Sequence, residues 1–437
     1  MRRLLGLLAA ALIVATAIAG AGTARAGGFN WQRYKGHTIH FLNENNPWAN
    51  ELRPFLPEFT KLTGIKVEVL TFEEQQMRQR LVTILQSHDA GVDEFMSLSS
   101  LEGPLFDKAG WYADLGPVMR APGGTAPGYD LKDFSAPLLK AVTFGGKLES
   151  IPVNIEGPVI YYRKDIFARC HVAVPKTLAE VTAAAAAIHK CDPAITPWVT
   201  RGLAPALPYT FSNTLHNFGT DYFSAPRKPA LCTPKAEAAI AWYASMLHDY
   251  GPPGAVNYSF VQIADLYGAG RAAMAFESSN ELGPIMKFPG RAKDTGLILL
   301  PPGPGGAQKP TVIGWGLAMS AFSAAKPETW YFMQWATSKA MQTTLALHGI
   351  APPRGSVAAS AAYHAWLAKE PVRQVWAALI DRMAANGTSE VGPPVRRQAQ
   401  ARQIVGEAID KVMLGQATAK QAACAADREL TTMLATP

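Results

Sequence analysis

The sequence predicts an α/β fold arranged in two lobes. Three observations lead to this prediction: a strand–helix–strand opening, further helices and strands beyond residue 150, and the length of the chain. The chain has 437 residues, and removal of a 26-residue leader would leave 411 (437 − 26). That length exceeds one ordinary hydrophobic core and suggests two or three domains. Two lobes fit it well.

The opening reads as a βαβ unit. A strand at Thr38–Leu42 precedes a helical pattern, and a second strand follows at Ile65–Leu70. Pro54 and Pro57 predict that the helix begins near Arg53 or kinks at Pro57. A next helix carries its apolar residues on one face, and this unit favours a parallel sheet flanked by helices. The apolar positions of the two helices are Trp48, Leu52, Phe55, Leu56, Phe59 and Leu62, then Met77, Leu81, Ile84 and Leu85.

Later elements have their own start and stop signals. A helix over Thr177–Lys190 begins with a capping box, and one from Pro234 to Tyr250 has proline at its first position. A buried strand is expected at Gly296–Leu300, before the Gly/Pro loop Pro301–Gly306. The tail from Gln398 onward is helical by pattern.

Residues 1–26 have the pattern of a cleaved signal peptide. Two arginines at positions 2 and 3 precede an apolar run from Leu4 to Ile18, and Ala-Arg-Ala at 24–26 fits a signal peptidase site. An uncleaved anchor is the alternative, but the run is shorter than the ~20 residues that span a bilayer. The leader has no cysteine for lipid attachment. A free periplasmic protein is therefore expected.

The charge of the chain excludes some partners. The formal net charge of +7 falls to +4 (7 − 3) when the three leader arginines are removed. The remaining cations are scattered, with Arg396-Arg397 a rare adjacent pair. Neither a nucleic-acid groove nor a polybasic membrane surface is indicated.

The four cysteines suggest disulfides, because the predicted compartment is oxidising. Cys170 and Cys191 flank the predicted helix, whose return would bring them together. Cys232 and Cys424 are far apart in sequence, and their pairing stays open. No C-x-x-C spacing indicates a zinc or redox site.

Motifs for catalysis and cofactors are weak. Gly268–Ala273, GAGRAA, matches a dinucleotide fingerprint, but a helix precedes it and a strand follows, which is the wrong order. The adjacent Tyr161 and Tyr162 could bind iron, but in a strand they point to opposite faces. The nine histidines lack metal-ligand spacing. We expect no enzyme, no cofactor and no metal, although dispersed catalytic groups escape such a search.

The segment KLESIPVNIEGPVIYYRKDIF, residues 147–167, resembles the crossover between lobes in family 1 extracellular solute-binding proteins, which serve carbohydrate ABC importers. Other segments resemble that family in the same order. They include FLPEFTKLTGIKVEVLTFEEQQMRQRL, LFDKAGWYADL, YGAGRAAMAFESSNEL, GWGLAMSAFSAAKPETWYFMQWATS, HGIAPPRGS and QIVGEAIDKVMLGQATAKQA. EEQQMRQRL, NFGTDYF, GPPGA and APPRGS look closest to the branch that binds sugar alcohols and monosaccharides.

The resemblance implies a type II periplasmic-binding-protein fold, with a central mixed sheet in each lobe and a hinged cleft between the lobes. We expect residues 27–153 and 300–338 in the N-terminal lobe, and residues 154–299 and 339–437 in the C-terminal lobe. The chain would cross between lobes near Pro152–Glu156 and Leu299–Gly306. The expected partners are a small carbohydrate or polyol and the ABC permease, and the protein is expected to be a monomer.

A polyhydroxylated solute needs carboxylates, amides or arginine for its hydroxyls and an aromatic ring for its apolar face. Glu156 lies on the first crossover, and a hinge glutamate in solvent is its alternative. Glu102 follows the strand Glu94–Leu98, at a carboxyl end where open α/β sheets bind ligands, or it is a helix N-terminal acid. Trp315 is the expected stacking platform, with core packing as the alternative.

Other candidates complete the predicted site. Trp48 is a second stacking candidate, with core packing equally compatible. Arg354 is suited to two parallel hydrogen bonds to vicinal oxygens. The turn after residues 274–276 and several further polar positions have structural alternatives. These candidates are Glu277, Ser278, Asn280, Glu74, Gln75, Asn46 and Asn213.

Other functions stay open at this point. A secreted carbohydrate-active enzyme needs a pair of carboxylates about the bond to be cleaved. A polyamine receptor would favour excess acids in the cleft, and a phosphodiester receptor would favour clustered cations or helix N-termini.

Overall fold

The computed structural model describes residues 28–435, so the predicted signal peptide lies outside the described residues. The strands of the described chain are β1 (Thr38–Glu44), β2 (Lys66–Phe72), β3 (Glu94–Ser97), β4 (Thr143–Phe144), β5 (Lys147–Leu148), β6 (Ser150–Pro152), β7 (Pro158–Arg163), β8 (Thr196–Thr200), β9 (Phe223–Ala225), β10 (Lys228–Pro229), β11 (Ala272–Ser278), β12 (Thr295–Ile298) and β13 (Gly316–Met319).

The α-helices of the same residues are α1 (Pro47–Leu52), α2 (Leu56–Thr63), α3 (Glu74–Gln86), α4 (Ser99–Ala109), α5 (Gly116–Arg120), α6 (Ala136–Ala141), α7 (Lys164–Arg169), α8 (Leu178–Cys191), α9 (Pro208–Asn217), α10 (Pro234–Tyr250), α11 (Phe260–Gly268), α12 (Leu282–Met286), α13 (Arg291–Asp294), α14 (Lys326–Ala336), α15 (Lys339–Ala346), α16 (Gly355–Ala358), α17 (Ala361–Ala368), α18 (Pro371–Asn386), α19 (Gln398–Met413) and α20 (Ala419–Ala435).

Two mixed sheets organise the chain. The first has the strand order β2-β1-β3-β13-β6, and the second has the order β12-β7-β11-β8. In the first sheet β1 is parallel to β2 and β3, whereas β13 is antiparallel to β3 and β6. In the second, β11 is parallel to β8 and antiparallel to β7. The mixed sheets that the family resemblance implied are confirmed, and the parallel pairing favoured by the opening is limited to parts of each sheet.

Each sheet has a hydrophobic core of its own. Phe41, Phe95 and Trp330 belong to the buried cluster around the first sheet. Two clusters cover the second sheet, and Trp198 and Trp376 represent them. The predicted two-lobe α/β fold is therefore present.

The chain passes between the sheets in two segments that overlap the predicted crossings. Residues 153–157 join β6 to β7, and residues 299–315 join β12 to β13. The strand predicted at Gly296–Leu300 is observed as β12, Thr295–Ile298. Leu299 and Leu300 begin the second crossing.

The two crossings pair with each other. The Glu156 amide donates to the Ile313 carbonyl at 2.9 Å, and the Ile313 amide donates to the Glu156 carbonyl at 2.8 Å. Gly157 allows this close approach, because a Cβ there would lie 2.1 Å from the Thr311 carbonyl oxygen. The side chain of Glu156 is thereby fixed at the junction of the lobes.

Proline and capping residues set the local boundaries. The helix predicted between β1 and β2 is divided into α1, a 3₁₀ turn at Arg53–Phe55 and α2. Pro54 is the second residue of the 3₁₀ turn, and Pro57 is the second residue of α2. The Asn46 side chain caps α1 by accepting from the Ala49 amide at 2.9 Å. Thr177 caps α8 as predicted, with a 3.2 Å bond from the Glu180 amide.

The cysteines form two disulfides. Cys170 pairs with Cys191 as predicted, and Cys232 pairs with Cys424, a pairing that the sequence left open. The second bridge joins two segments 192 residues apart. Over the part of the chain that is described, no helix combines the length and the apolar character needed to cross a membrane.

Candidate functional site

A polar cavity lies between the two sheets and is called the cleft below. Its walls come largely from residues that end or directly follow β1, β3, β8 and β11, where ligands of open α/β sheets bind. The cleft is lined by Glu44, Asn46, Pro47, Glu74, Leu98, Glu156, Arg201, Tyr209, Phe260, Ser278, Asn280, Glu281, Ile313, Trp315 and Arg402.

Protein side chains fill most of the cleft in this conformation. Its empty volume, adjoining solvent included, is about 400 Å³, but only about 20 Å³ admits the centre of a water molecule. The water-accessible volume is far below the roughly 300–1,000 Å³ of typical small-molecule sites. A bound solute therefore requires the lobes or the lining side chains to shift.

Arg201 connects the two lobes across the cleft. It follows β8, and its Nη2 and Nε donate to the Glu277 carboxylate at 2.7 and 3.0 Å. Its Nη1 lies 3.3 Å from Oε2 of Glu74, which begins α3 beside the first sheet. The guanidinium also covers the Tyr209 ring, with its carbon 4.3 Å from the ring centroid. Against the opposing effect of burial, Glu277 and Glu74 raise the pKa of Arg201, so it stays charged.

Arg78 holds a second group of cleft residues in place. It pairs with Glu74 one helical turn earlier at 3.1 Å and forms an ion pair with Glu102. Its guanidinium carbon lies 5.1 Å from the centroid of the Trp315 ring. Glu102 also accepts a 2.6 Å hydrogen bond from the Leu98 amide at the start of α4. Although burial opposes it, Arg201 and then Arg78 hold the pKa of Glu74 below its usual value.

Arg402 reaches the cleft from α19. Its Nε donates to the Pro205 carbonyl at 2.9 Å, its Nη2 donates to the Ala206 carbonyl at 3.2 Å, and its Nη1 donates to the Val391 carbonyl. Burial lowers the pKa of Arg402 to about 9. The residue therefore ties two backbone segments, residues 205–206 and Val391, to the wall of the cleft.

Three cleft carboxylates make no ion pair with an arginine among the described residues. Burial raises the pKa of Glu156 to about 7 and the pKa of Glu44 and Glu281 well above the usual value. Glu44 accepts from Asn46 at 2.8 Å, and Glu156 accepts from Asn154 at 3.0 Å. These carboxylates are acceptors, or donors when protonated, without a strong partner of their own.

Several polar atoms of the cleft are unsatisfied. Glu44 Oε2, the Tyr209 hydroxyl and Asn280 Oδ1 are buried without a hydrogen-bond partner in the described chain. Trp315 and Phe260 add apolar surface beside them. The arrangement suits a small molecule that carries several hydroxyl or amino groups and an apolar face.

The structure brings six of the predicted residues to the cleft wall. They are Glu156, Trp315, Ser278, Asn280, Asn46 and Glu74. Two others, Glu102 and Glu277, lie behind the wall, where they hold Arg78 and Arg201.

Four predicted residues lie elsewhere. Trp48 is fully buried in the core of the first sheet, as its helical spacing with other apolar residues allowed. The backbone N–H of Gln75 donates to the Glu73 carboxylate that caps α3, and the Gln75 side chain does not line the cleft. The Asn213 side chain donates to the Lys309 carbonyl at 2.8 Å and thereby holds the second crossing.

Arg354 is the fourth predicted residue that lies away from the cleft. The Arg354 side chain is 1% exposed, and its guanidinium donates to the carbonyls of Thr337, Asp130 and Tyr129 at 2.8–2.9 Å. It also pairs with Asp133 at 3.2 Å. With its donors used inside the protein, Arg354 holds a loop and does not line the cleft.

The sequence reasoning missed several cleft residues. Glu44 ends β1 and Arg201 directly follows β8, and both lie where open α/β sheets bind ligands. They were missed because the first strand was predicted to end at Leu42 and no strand was predicted before Arg201. Tyr209, Phe260, Glu281 and Arg402 lie on helices or turns and gave no local signal. The last four residues enter the cleft through tertiary packing.

Two α/β lobes that enclose a polar cleft define a binding protein for small solutes. The family described as bacterial extracellular solute-binding protein matches residues 46–343, and the chain belongs to this family.

Relatives and solved structures agree with this assignment. The chain is 27% identical over 347 residues to the erythritol/L-threitol-binding protein of Mycolicibacterium smegmatis, covering 72% of this chain and 69% of the relative. It is 27% identical over 333 residues to the mannitol-binding protein of Pseudomonas aeruginosa, covering 74% of each.

The fold is shared with solute-binding proteins of known structure. One from Agrobacterium radiobacter K84, in complex with ribitol, has a TM-score of 0.81 at 22% identity and covers 91% of this chain and 99% of its own. One from Agrobacterium vitis S4, with bound D-mannitol, has a TM-score of 0.81 at 23% identity and covers 91% and 98%. The two-lobe periplasmic-binding-protein fold is thereby established.

Proposed function

We propose that this chain is the solute receptor of an ABC importer and captures a sugar alcohol or a monosaccharide in the cleft. Its leader exports it to the periplasm, where it acts as a monomer. It catalyses no reaction and delivers its solute to the membrane permease.

The unsatisfied polar atoms of the cleft carry this proposal. Glu44 Oε2, the Tyr209 hydroxyl and Asn280 Oδ1 each lack a hydrogen-bond partner within residues 28–435. A buried polar group without a partner costs about 1–3 kcal/mol. A polyol hydroxyl both donates and accepts, so a chain of hydroxyls satisfies these three groups together. Trp315 receives the apolar C–H face of the same solute.

Two relatives support the ligand class. Both are named for the binding of acyclic polyols: erythritol or L-threitol in one, and mannitol in the other. An acyclic polyol also fits the mixture of acidic and amide groups in this cleft. We assign the solute contacts to the six cleft residues expected from sequence, with Arg201 and Glu44 added.

Closure of the lobes retains the solute. Asn46 and Glu74 belong to elements beside the first sheet, whereas Ser278 ends β11 of the second sheet and Asn280 lies two residues beyond it. A solute held by both groups stabilises the closed arrangement, in which Arg201 meets Glu74 at 3.3 Å. The lobes comprise residues 27–153 with 300–338 and residues 154–299 with 339–437 in this proposal.

A cationic solute such as a polyamine is the second candidate. Glu44, Glu156 and Glu281 lie in one cleft without an arginine partner, and a buried ammonium would favour their charged forms. The arginines of the cleft already have carboxylate or carbonyl partners, which disfavours a phosphodiester.

A thermal-shift screen tests the proposal. The mature protein is unfolded and refolded to remove any carried solute and is then mixed with sugar alcohols, monosaccharides, polyamines and phosphodiesters. Solute at 100 times its Kd stabilises the native state by about 2.7 kcal/mol. We expect a higher Tm with a polyol or monosaccharide and an unchanged solute after incubation.

Two variants locate the response. Asn280→Ala should reduce the shift, because it removes an acceptor from the cleft. Asn386→Ala is the matched control, since Asn386 is exposed at the end of α18 and bonds only to the preceding turn. A response limited to polyamines would replace the ligand class, and chemical conversion of the solute would contradict the receptor function.

A further inference from the structure

A second polar cluster lies outside the cleft and brings three metal-ligating residue types together. His216 is in the last turn of α9, Asp221 precedes β9, and Glu390 follows α18. Their ligand atoms all lie within 4.8 Å of one another. The histidine spacing in the sequence gave no metal signal, because the three residues come from separate segments.

The distances suit one small cation. His216 Nε2 lies 3.0 Å from Glu390 Oε2 and 3.7 Å from Asp221 Oδ1. Zinc binds imidazole nitrogen and carboxylate oxygen at roughly 2.0–2.2 Å, which places ligand atoms of a tetrahedral site about 3.3 Å apart. The two observed distances lie on either side of that value.

The burial of the cluster supplies an independent reason for a ligand. The His216 side chain is 2% exposed, and neither of its ring nitrogens forms a well-directed hydrogen bond with any described residue. Glu390 Oε2, 3.0 Å from His216 Nε2, is likewise buried and receives no well-directed hydrogen bond from the residues that the structure describes. A metal ion between them would bind His216 Nε2 and Glu390 Oε2 together, because the neutral imidazole and the carboxylate direct lone pairs to the same point.

The cluster is also accessible on one side. The side chains of Asp221 and Glu390 are 39% and 27% exposed, and both line a surface groove. Solvent can therefore complete a four-coordinate ion with water. Asp221 Oδ1 is held in place by a 2.6 Å bond from the Tyr222 amide.

We propose that His216, Asp221 and Glu390 form a binding site for a divalent transition metal, with zinc favoured by the one-imidazole, two-carboxylate ligand set. The site is separate from the cleft and does not depend on the proposed solute. The ion would join the end of α9 to the segment after α18 and so stabilise this side of the second lobe.

Calorimetric titration of the EDTA-dialysed mature protein with zinc chloride, without reductant, tests the site. Omitting reductant keeps Cys232 and Cys424 in their disulfide, so their thiolates do not compete. We expect saturable binding of about one Zn²⁺ per chain, and at least a tenfold loss of affinity in Glu390→Gln and in His216→Gln. His171→Gln, at an exposed histidine, should bind as the wild type does.

Cobalt substitution provides a second readout. Co²⁺ should give visible ligand-field absorption in the wild type and in His171→Gln, and Glu390→Gln should lose it. If His216→Gln fails to fold, Glu390→Gln and Asp221→Asn decide the question, because both residues are partly exposed. Absence of saturable binding, or equal affinity in Glu390→Gln and the wild type, would show that the cluster is only a histidine–carboxylate ion pair.

Discussion

Replacing Arg201 by lysine separates the two tasks of its guanidinium. In the wild type this group binds Glu277 within its own lobe at 2.7 Å and reaches Glu74 of the other lobe at 3.3 Å. A lysine ammonium is a single point charge and cannot reproduce the planar fork. Arg201→Lys should therefore keep the contact to Glu277 and lose the one to Glu74.

The lost contact sets the size of the effect. The two side chains are each 6% exposed, so the pair is buried and weakly screened by salt. A hydrogen bond to a charged group contributes about 1.5–3 kcal/mol. Because this contact exists only between closed lobes, we expect the Kd for the solute to rise by roughly 10- to 150-fold.

A second interlobe pair supplies the control. Lys287 pairs with Glu51 at the rim, but its side chain is 67% exposed, and such pairs contribute little. Glu51 also keeps His348 at 2.8 Å. Calorimetric titration with the solute found in the screen should show a Kd near the wild-type value for Lys287→Met. The reasoning is refuted if Arg201→Lys binds as tightly as the wild type, or if Lys287→Met weakens binding more.

Three other predictions concern buried acids and a disulfide. Solute affinity should rise with pH through about 7, because burial raises the pKa of Glu156 to about 7 and the ionised carboxylate accepts hydrogen bonds from hydroxyls better than the protonated form. Calorimetric titrations at several pH values should show this rise in the wild type and a flat profile in Glu156→Gln. Glu94 is fully buried, and neither of its carboxylate oxygens has a hydrogen-bond partner in the described part of the chain. Burial raises the pKa of Glu94, so the protein is most stable towards unfolding at low pH and loses stability as the pH rises through that pKa. Glu94→Gln should therefore raise the free energy of unfolding by about 1–3 kcal/mol at pH 8, measured with urea, and bring a smaller gain at pH 4; an equal gain at both would contradict it. Replacing Cys232 and Cys424 by serine should lower that free energy by about 2–5 kcal/mol, because the bridge closes a 192-residue separation, and an unchanged urea midpoint would disprove this.

Local signals predicted the elements well where their cause is local. Pro234 at the first position and Gly251 after the last residue mark α10, and the structure ends the helix at Tyr250. The same kind of signal gave Ser278, the last residue of β11, and Asn280, two residues beyond it, and both line the cleft. Such residues are predictable because the carboxyl end of a strand determines where the next side chains lie.

The rest of the cleft depends on contacts between distant segments. Arg354 and Arg402 are both buried arginines, but one holds a loop near Tyr129 and the other lines the cleft. Nothing in the adjacent sequence distinguishes them, because their partners lie about 200 residues away. Arg201 was missed for a simpler reason, since the strand before it was not predicted.

Calorimetric titration of the refolded, solute-free wild-type protein with D-mannitol, ribitol and erythritol tests the central claim most directly. The account predicts saturable binding of at least one of them at about one molecule per chain, weakened in Asn280→Ala and retained in Asn386→Ala. Binding of none of the three, or equal binding in both variants, would contradict a polyol receptor site in this cleft.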